Sequence, residues 1–310
     1  MIITVTLNPA VDRTLYVPKF SAGRVNRASS SRVDAGGKGI NVSKALKELG
    51  AESIACGLIA GRYGRSIKEE LTAQAIDYDF VEVPGETRVN IKIIAEDGSH
   101  TDINEPGFSV SEADFNRLVE RVCRNARRGS VVVLSGSVPP NLPLASYETL
   151  CRRVSEKEGV QLIVDADGIH LKAALAAKPA FIKPNLAELT SVLGYEPQGP
   201  EEIVKGARKL IEEGAQNVAV SMGSDGVVMV TPHRAVQVIP PKVAAVGPVG
   251  AGDVMVAAIA QSLVEGNDLH TTARYAAAAG TASVTVEGTR MASRRTVLSI
   301  FEQTQVIELR

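Results

Sequence analysis

The second half of the chain alternates short β-branched runs with longer helical stretches, and few folds accept that pattern. Val131–Leu134, Leu162–Asp165, Phe181–Ile182 and Val218–Ser221 are apolar runs of strand length. Helical periodicity fills the spaces between them: Ser111–Ala126, a stretch ending near Lys157, Leu171–Ala177 and Glu201–Glu213. Strands separated by helices of about ten residues or more specify βαβ units, a parallel sheet and right-handed crossovers. With 310 residues, no linker and no repeat, the expectation is one α/β domain over residues 1–310. In such sheets the loops after the strands gather along one edge, where ligands bind.

The N-terminal third departs from that rhythm. Ile2–Thr6 reads as a first buried strand and Thr14–Val17 as another, with Asn8-Pro9 and Asp12 between them. Asp12 at a sheet edge suits sugar hydroxyls, although an aspartate in a turn is equally ordinary. Ser21–Arg32, with Arg24, is a polar loop or exposed lid. Gly36-Gly37-Lys38-Gly39-Ile40-Asn41 leads into a helix ended by Gly50. Bare backbone amides before a helix bind anions, with Lys38 as a point charge and Asn41 as a donor to hydroxyls. The spacing is neither a P-loop nor GxGxxG, which weighs against a dinucleotide-dependent oxidoreductase. A tight turn with a solvated lysine fits the same residues.

Thr87–Ile94 and Thr101–Asn104 alternate polar and apolar residues around Asp97-Gly98, a hairpin signature. This ribbon is expected to form a small second sheet closing over a site, with strands drawn from about 12–34 and 87–105. Its edges invite pairing with a second copy. Arg88 shares the ribbon's polar face with Lys92, and Lys92 is expected to be solvated.

Gly247-Pro248-Val249-Gly250-Ala251-Gly252-Asp253 precedes the apolar run Val254–Ala260. Glycines ahead of a helix form an anion site. Asp253 at its mouth would repel that anion, unless the anion is to be attacked by a hydroxyl whose proton Asp253 removes. In that reading Gly250–Gly252 hold a moving phosphoryl group. Asp253 as an ordinary N-cap is the alternative. Ser221–Gly226 forms a turn between strands that suits a nucleotide's phosphates.

Composition excludes several partners. Thirty-four basic and 35 acidic side chains give a net charge of −1, with 4% aromatics and no Trp, so nothing calls for nucleic acid. No apolar run approaches the ~18 residues of a membrane span. The three cysteines show no CxxC spacing and the N-terminus lacks a basic leader, so a reducing, cytoplasmic location is expected.

Taken together, Thr6–Asp12, Gly36–Asn41, Thr87–Asn90, Ser135-Gly136-Ser137-Val138-Pro139, Lys183–Glu188 and Val249–Asp253 resemble, in order, the motifs of the ribokinase-like (PfkB) carbohydrate kinases. The resemblance implies a three-layer α/β/α sandwich with a mostly parallel central sheet and a small β-sheet lid. It implies ATP and Mg²⁺, with Asp253 as base and the Ala251, Gly252 and Asp253 amides around the transferred group. Asp12, Gly37, Asn41, Asn90 and Ser137 are implied at the sugar, and Lys38, Arg88 and Arg24 on the phosphate it already carries. Lys183, Ser221, Gly223 and Gly226 are implied at ATP, with Asn185 and Glu188 positioning Mg²⁺ through water. The lid strands often form a homodimer contact in this family. The branch most similar phosphorylates hexose phosphates, with fructose 1-phosphate as expected acceptor and tagatose 6-phosphate and fructose 6-phosphate as alternatives. Val254, Gly247-Pro248 and Asp102 depart from common family residues, and Gly288-Thr289-Arg290 is similar to the fructose 6-phosphate enzymes.

Overall fold

The computed structural model describes residues 1–246, 250–286 and 291–309. Gly247-Pro248-Val249 and Gly288-Thr289-Arg290, singled out above, lie outside the described residues. The chain begins with β1 (Ile2–Thr6), β2 (Ala10–Val17) and β3 (Ser30–Gly36). Helix α1 (Lys38–Leu49) ends where Gly50 turns left-handed at φ 84°, as expected of that glycine. Then come β4 (Ser53–Ala60), α2 (Gly61–Ala73), β5 (Asp77–Val83) and the hairpin β6 (Arg88–Ala95) and β7 (His100–Asn104). The regular half follows: α3 (Glu112–Asn125), β8 (Val131–Ser135), α4 (Leu144–Ser155), β9 (Gln161–Asp165), α5 (Gly168–Leu175) and β10 (Phe181–Ile182). Beyond it lie α6 (Leu186–Leu193), α7 (Gly199–Glu212), β11 (Val218–Ser221), β12 (Val227–Val230) and β13 (Ala235–Ile239). The last elements are α8 (Ala251–Glu265), α9 (Leu269–Ser283), α10 (Arg294–Phe301) and β14 (Gln305–Leu309).

Ten strands form the central sheet, in the order β14-β13-β12-β11-β10-β9-β8-β1-β4-β5. From β11 to β5 every neighbouring pair is parallel, while β12, β13 and β14 extend the sheet antiparallel. Residue alternation sorts the two faces. Ile2, Val131 and Val133 pack with α1, α8 and α9 in one core, whereas Ile3, Val5, Val132 and Leu134 join Leu118, Leu150 and Leu210 in another. The result is the expected three-layer α/β/α sandwich. Among the described residues no helix is long and apolar enough to cross a membrane.

The order reverses beside β1, which has β4 on one side and β8 on the other. At such a reversal the following loops diverge and leave a crevice. A separate sheet, β3-β2-β6-β7, stands at this place. Val11 and Ala35 from it pack with Ile40, Ile59 and Ile67, so its base is fixed to α1, β4 and α2.

Several expectations need correction. Asp12 and Gly36–Asn41 do not follow strands of the parallel sheet; Asp12 lies in β2 and Gly36 ends β3 of the small one, with Lys38–Asn41 opening α1. The segment before Gly250 follows β13, an antiparallel strand. Strands β13 and β14 and helix α10 are not among the expected elements. Strand β14 buries none of its residues fully, so it carries no strong apolar pattern.

Candidate active site

The small sheet has two unlike faces. Register places Asp34, Asp12, Asn90 and Asn104 in one row across it, while the neighbouring row, on the opposite face, is Val33, Arg13, Ile91 and Ile103. The first face closes over a cavity of about 330 Å³ whose lining includes Asp12, Asn90, Lys92 and Asn104. Gly36 permits this: a Cβ there would lie 2.8 Å from the Asp12 Cγ, so any side chain would displace the carboxylate. Asn90 Nδ2 and Lys92 Nζ donate to the two Asp12 oxygens at 3.0 and 3.1 Å. Lys92 is therefore not solvated as expected. Its side chain is 18% exposed, because it shares the inward face with Asn90 two residues earlier.

The cavity is rich in polar atoms without partners. Seven buried side-chain N or O atoms among the described residues lack a hydrogen bond, and five belong to this lining: Thr6 Oγ1, Asn8 Oδ1, Asn41 Oδ1, Arg88 Nε and Asn90 Oδ1. Buried polar atoms are normally satisfied, and four of these five are oxygens able to accept, so their concentration points to a ligand rich in hydroxyl donors. Arg88 Nη2 donates to Ser137 Oγ at 3.0 Å and to the Asn8 carbonyl at 3.2 Å, and Nη1 to the Glu105 carbonyl at 3.2 Å. All three acceptors are neutral. Burial holds this guanidinium below its ordinary pKa, with the charge of Asp12 opposing the shift.

At the floor lies the first turn of α8. Gly250 sits in the left-handed region, φ 83°, with no capping side chain. The first intrahelical bond is Val254 N–H to the Gly250 carbonyl, so the Ala251, Gly252 and Asp253 amides precede the ladder. Asp253 is 6% exposed and accepts from Asn41 Nδ2 at 2.8 Å. Burial, and then the charge of Asp165, push its carboxyl up to about 7, against the Asn41 bond and the attraction of Lys38 and Lys183. A carboxylate with a pKa near neutrality, aimed into a cleft, is suited to accept a proton.

A second cavity, about 550 Å³, lies on the other side of the same turn. Its walls are mainly apolar, including Val243, Met255, Ala277 and Val284. Gly250 and Asp253 line the first cavity and Ala251 and Gly252 the second. One helical turn thus separates, and faces, both spaces.

Most of the residues expected at the site converge here. Asp12, Gly37, Lys38, Asn41, Arg88, Asn90 and Ser137 line the first cavity; Ser221, Gly223 and Gly226 line the second. Lys183 stands beside Gly252, its Nζ 3.3 Å from where a Cβ would be. Arg24 does not converge: it is exposed on the β2–β3 loop and does not line the cavity. Asn185 and Glu188 form a capping box at the start of α6. Asn185 Oδ1 accepts from the Glu188 amide and Glu188 Oε2 from the Asn185 amide, both at 2.8 Å. Among the described residues no group of three or more His, Cys, Asp and Glu forms a direct metal cage. Glu188 Oε1 remains available, which fits Mg²⁺ carried mainly by phosphates and water.

Sequence reasoning missed Asp165, whose carboxylate is 1% exposed and faces both Lys38 and Lys183. It also missed Asn8 and Asn104 in the first cavity. A charged residue closing an apolar strand at the ligand-binding edge was the signal for Asp165.

The sequence pattern of the pfkB family carbohydrate kinases matches residues 5–295. This chain belongs to that family. It is a carbohydrate kinase. Among relatives, the 1-phosphofructokinase of Borreliella burgdorferi is 37% identical over 284 residues, 91% of each chain. The tagatose-6-phosphate kinase of Staphylococcus epidermidis is 33% identical over the whole of both chains. Phosphofructokinase-2 from Escherichia coli, solved in complex with fructose-6-phosphate, superimposes with a TM-score of 0.91 at 30% identity, covering 97% of this chain and 98% of that one.

Proposed function

We propose that this kinase transfers the γ-phosphoryl group of ATP to fructose 1-phosphate, giving fructose 1,6-bisphosphate and ADP. The observation that carries the reading is the first turn of α8, whose bare amides and buried carboxylate face both cavities. The sugar phosphate occupies the polar cavity and ATP the apolar one. Asp253 takes the proton of the sugar's 6-hydroxyl as its oxygen attacks the γ-phosphorus. One P–O bond forms, the bond to the ADP oxygen breaks, and the electron pair leaves with ADP. The Ala251, Gly252 and Asp253 amides stabilise charge on the transferred group.

Asp12, Asn41 and Asn90 hold the sugar hydroxyls, with Gly37 leaving the backbone open to them. Arg88, uncompensated by any carboxylate bond and joined to Ser137, receives the phosphate already present. Ser221, Gly223 and Gly226 border the nucleotide. Asn185 and Glu188 would hold Mg²⁺ through water, and the ion, when bound, would supply positive charge to the phosphates. The small sheet keeps water, a competing acceptor, from the reacting group.

The greater identity to the 1-phosphofructokinase relative favours fructose 1-phosphate over tagatose 6-phosphate or fructose 6-phosphate. Two copies pair through the small sheet. Its outward row carries Val33 and Ile103, 56% and 52% exposed, which a second copy would cover. The three cysteines are free thiols, in keeping with work in the cytoplasm.

The test is a panel of the three sugar phosphates with ATP and Mg²⁺, read by ADP release. Fructose 1-phosphate should exceed both rivals by at least about tenfold in kcat/KM, the discrimination that one or two misplaced hydroxyls give. Equal rates would contradict the assigned sugar. No turnover with any of them would contradict the function.

A further inference from the structure

Asp165 closes β9 under the seam between the two cavities. Lys38 Nζ approaches its Oδ1 at 3.3 Å and Lys183 Nζ approaches the same oxygen at 3.4 Å. Ser135 Oγ donates to Oδ2 at 3.3 Å, and the Gly136 amide to the Asp165 carbonyl at 3.0 Å. Ser135 thus holds the carboxylate from β8 and Gly136 holds its backbone, while two cations are drawn to one carboxylate oxygen. Two ammonium groups would not settle so close together in a buried place without an anion between them.

The clamp has an open side. Lys38 keeps 41% of its side chain exposed and lines the polar cavity; Lys183 is 4% exposed and abuts Gly252, which lines the apolar one. Each ammonium has three N–H donors, so one bond to Asp165 leaves two free. The Lys38 ammonium has Asp165 as its hydrogen-bond partner, whereas Arg88 bonds Ser137 and two backbone carbonyls. Burial works against its charge, but Asp165, Asp253 and Glu188 outweigh it and hold its pKa above the ordinary value. Those are the groups around the α8 turn, not around the Arg88–Ser137 pair.

We propose that Asp165 is a positioning residue that gathers Lys38 and Lys183 into a two-cation clamp on the phosphoryl group in transit, leaving the phosphate already on the sugar to Arg88. The inference rests on the kinase reading above and reassigns Lys38 within it. A loose phosphoryl-transfer transition state spreads charge over three equatorial oxygens, and compact ammonium charges on either side of its path stabilise it.

Lys38→Met, Asp165→Asn and Arg88→Met separate the roles, using steady-state kinetics and calorimetry with fructose 1-phosphate alone. Lys38→Met keeps the Asp165–Lys183 pair and should fold normally. Its kcat should fall by about 100-fold, the cost of one preorganised charge at the transferred group. Its KM and calorimetric Kd for the sugar phosphate should stay within about threefold, whereas Arg88→Met should raise that Kd by at least about tenfold. Asp165→Asn should copy the kcat loss, and adding Lys38→Met to it should cost little more, because the groups act as a unit. If Asp165→Asn does not fold, the contrast between Lys38→Met and Arg88→Met decides. A wild-type protein inert in the sugar panel would overturn the function itself. An active wild type whose Lys38→Met variant loses sugar-phosphate affinity rather than turnover would overturn only the clamp.

Discussion

The two cavities that meet at α8 are built on opposite principles. One is lined by Asp12, Asn41, Arg88 and Asn90, and several polar side-chain atoms of its lining lack a partner. The other is walled by Met255, Val284, Ala277 and Pro240, with Ser221, Ser224, Lys242 and Thr281 among its few polar side chains. Directional bonds punish a misplaced hydroxyl, because an unmatched buried polar group costs about 1–3 kcal/mol. Apolar walls recognise a flat ring by shape and area, which discriminates weakly. The difference teaches that this kinase should be strict about its sugar and lenient about its nucleotide base.

The largest effect should come from the turn between the cavities. Asp253→Asn keeps the shape and removes the proposed base. Turnover should fall at least about 1000-fold while sugar-phosphate binding survives, as measured by kinetics beside calorimetry. Loss of binding with intact turnover would invert the roles of wall and base. Next is the polar cavity. Asp12→Ala removes the acceptor of both Asn90 and Lys92 and should raise the sugar-phosphate KM by about 10- to 100-fold, with the KM for ATP nearly unchanged. Equal changes in both constants would mean that the two spaces are not independent. The smallest effect belongs to the apolar cavity: replacing ATP by GTP should lower kcat/KM by less than about tenfold. A far larger drop would show that the base is read by directional bonds after all.

Sequence made the same two regions unequally legible. The amides of the α8 turn, the Gly36–Asn41 loop and the Asp97-Gly98 hairpin are local signals, since a glycine before a helix or in a tight turn has few other uses. What the sequence hid depended on tertiary direction. Alternation along β6 puts Arg88, Asn90 and Lys92 on one face, but does not say which face is wet; the Asp12 carboxylate opposite decides it. Asp165 looks like any strand-terminal aspartate until Lys38 and Lys183, distant in sequence, converge on it. The Asn185–Glu188 spacing carries two meanings at once. It is a capping box that starts α6, and the same box holds one free carboxylate oxygen near Lys38, whose charge it helps to stabilise. Arg24, which the family resemblance implies on the sugar's phosphate, sits in a polar loop that holds it in solvent.

The central claim is that a buried carboxylate between the cavities takes the proton, and the pH dependence of kcat/KM tests it most directly. Burial and the neighbouring charge of Asp165 put the Asp253 pKa at about 7, and a protonated carboxyl cannot accept a proton. The rate should therefore fall on the acid side of an inflection near 7, approaching about tenfold per pH unit. The inflection should move to higher pH in Asn41→Ala, which removes the bond favouring the charged form. A rate that stays level from neutrality down through the ordinary carboxylate range, or an inflection indifferent to Asn41, would contradict it.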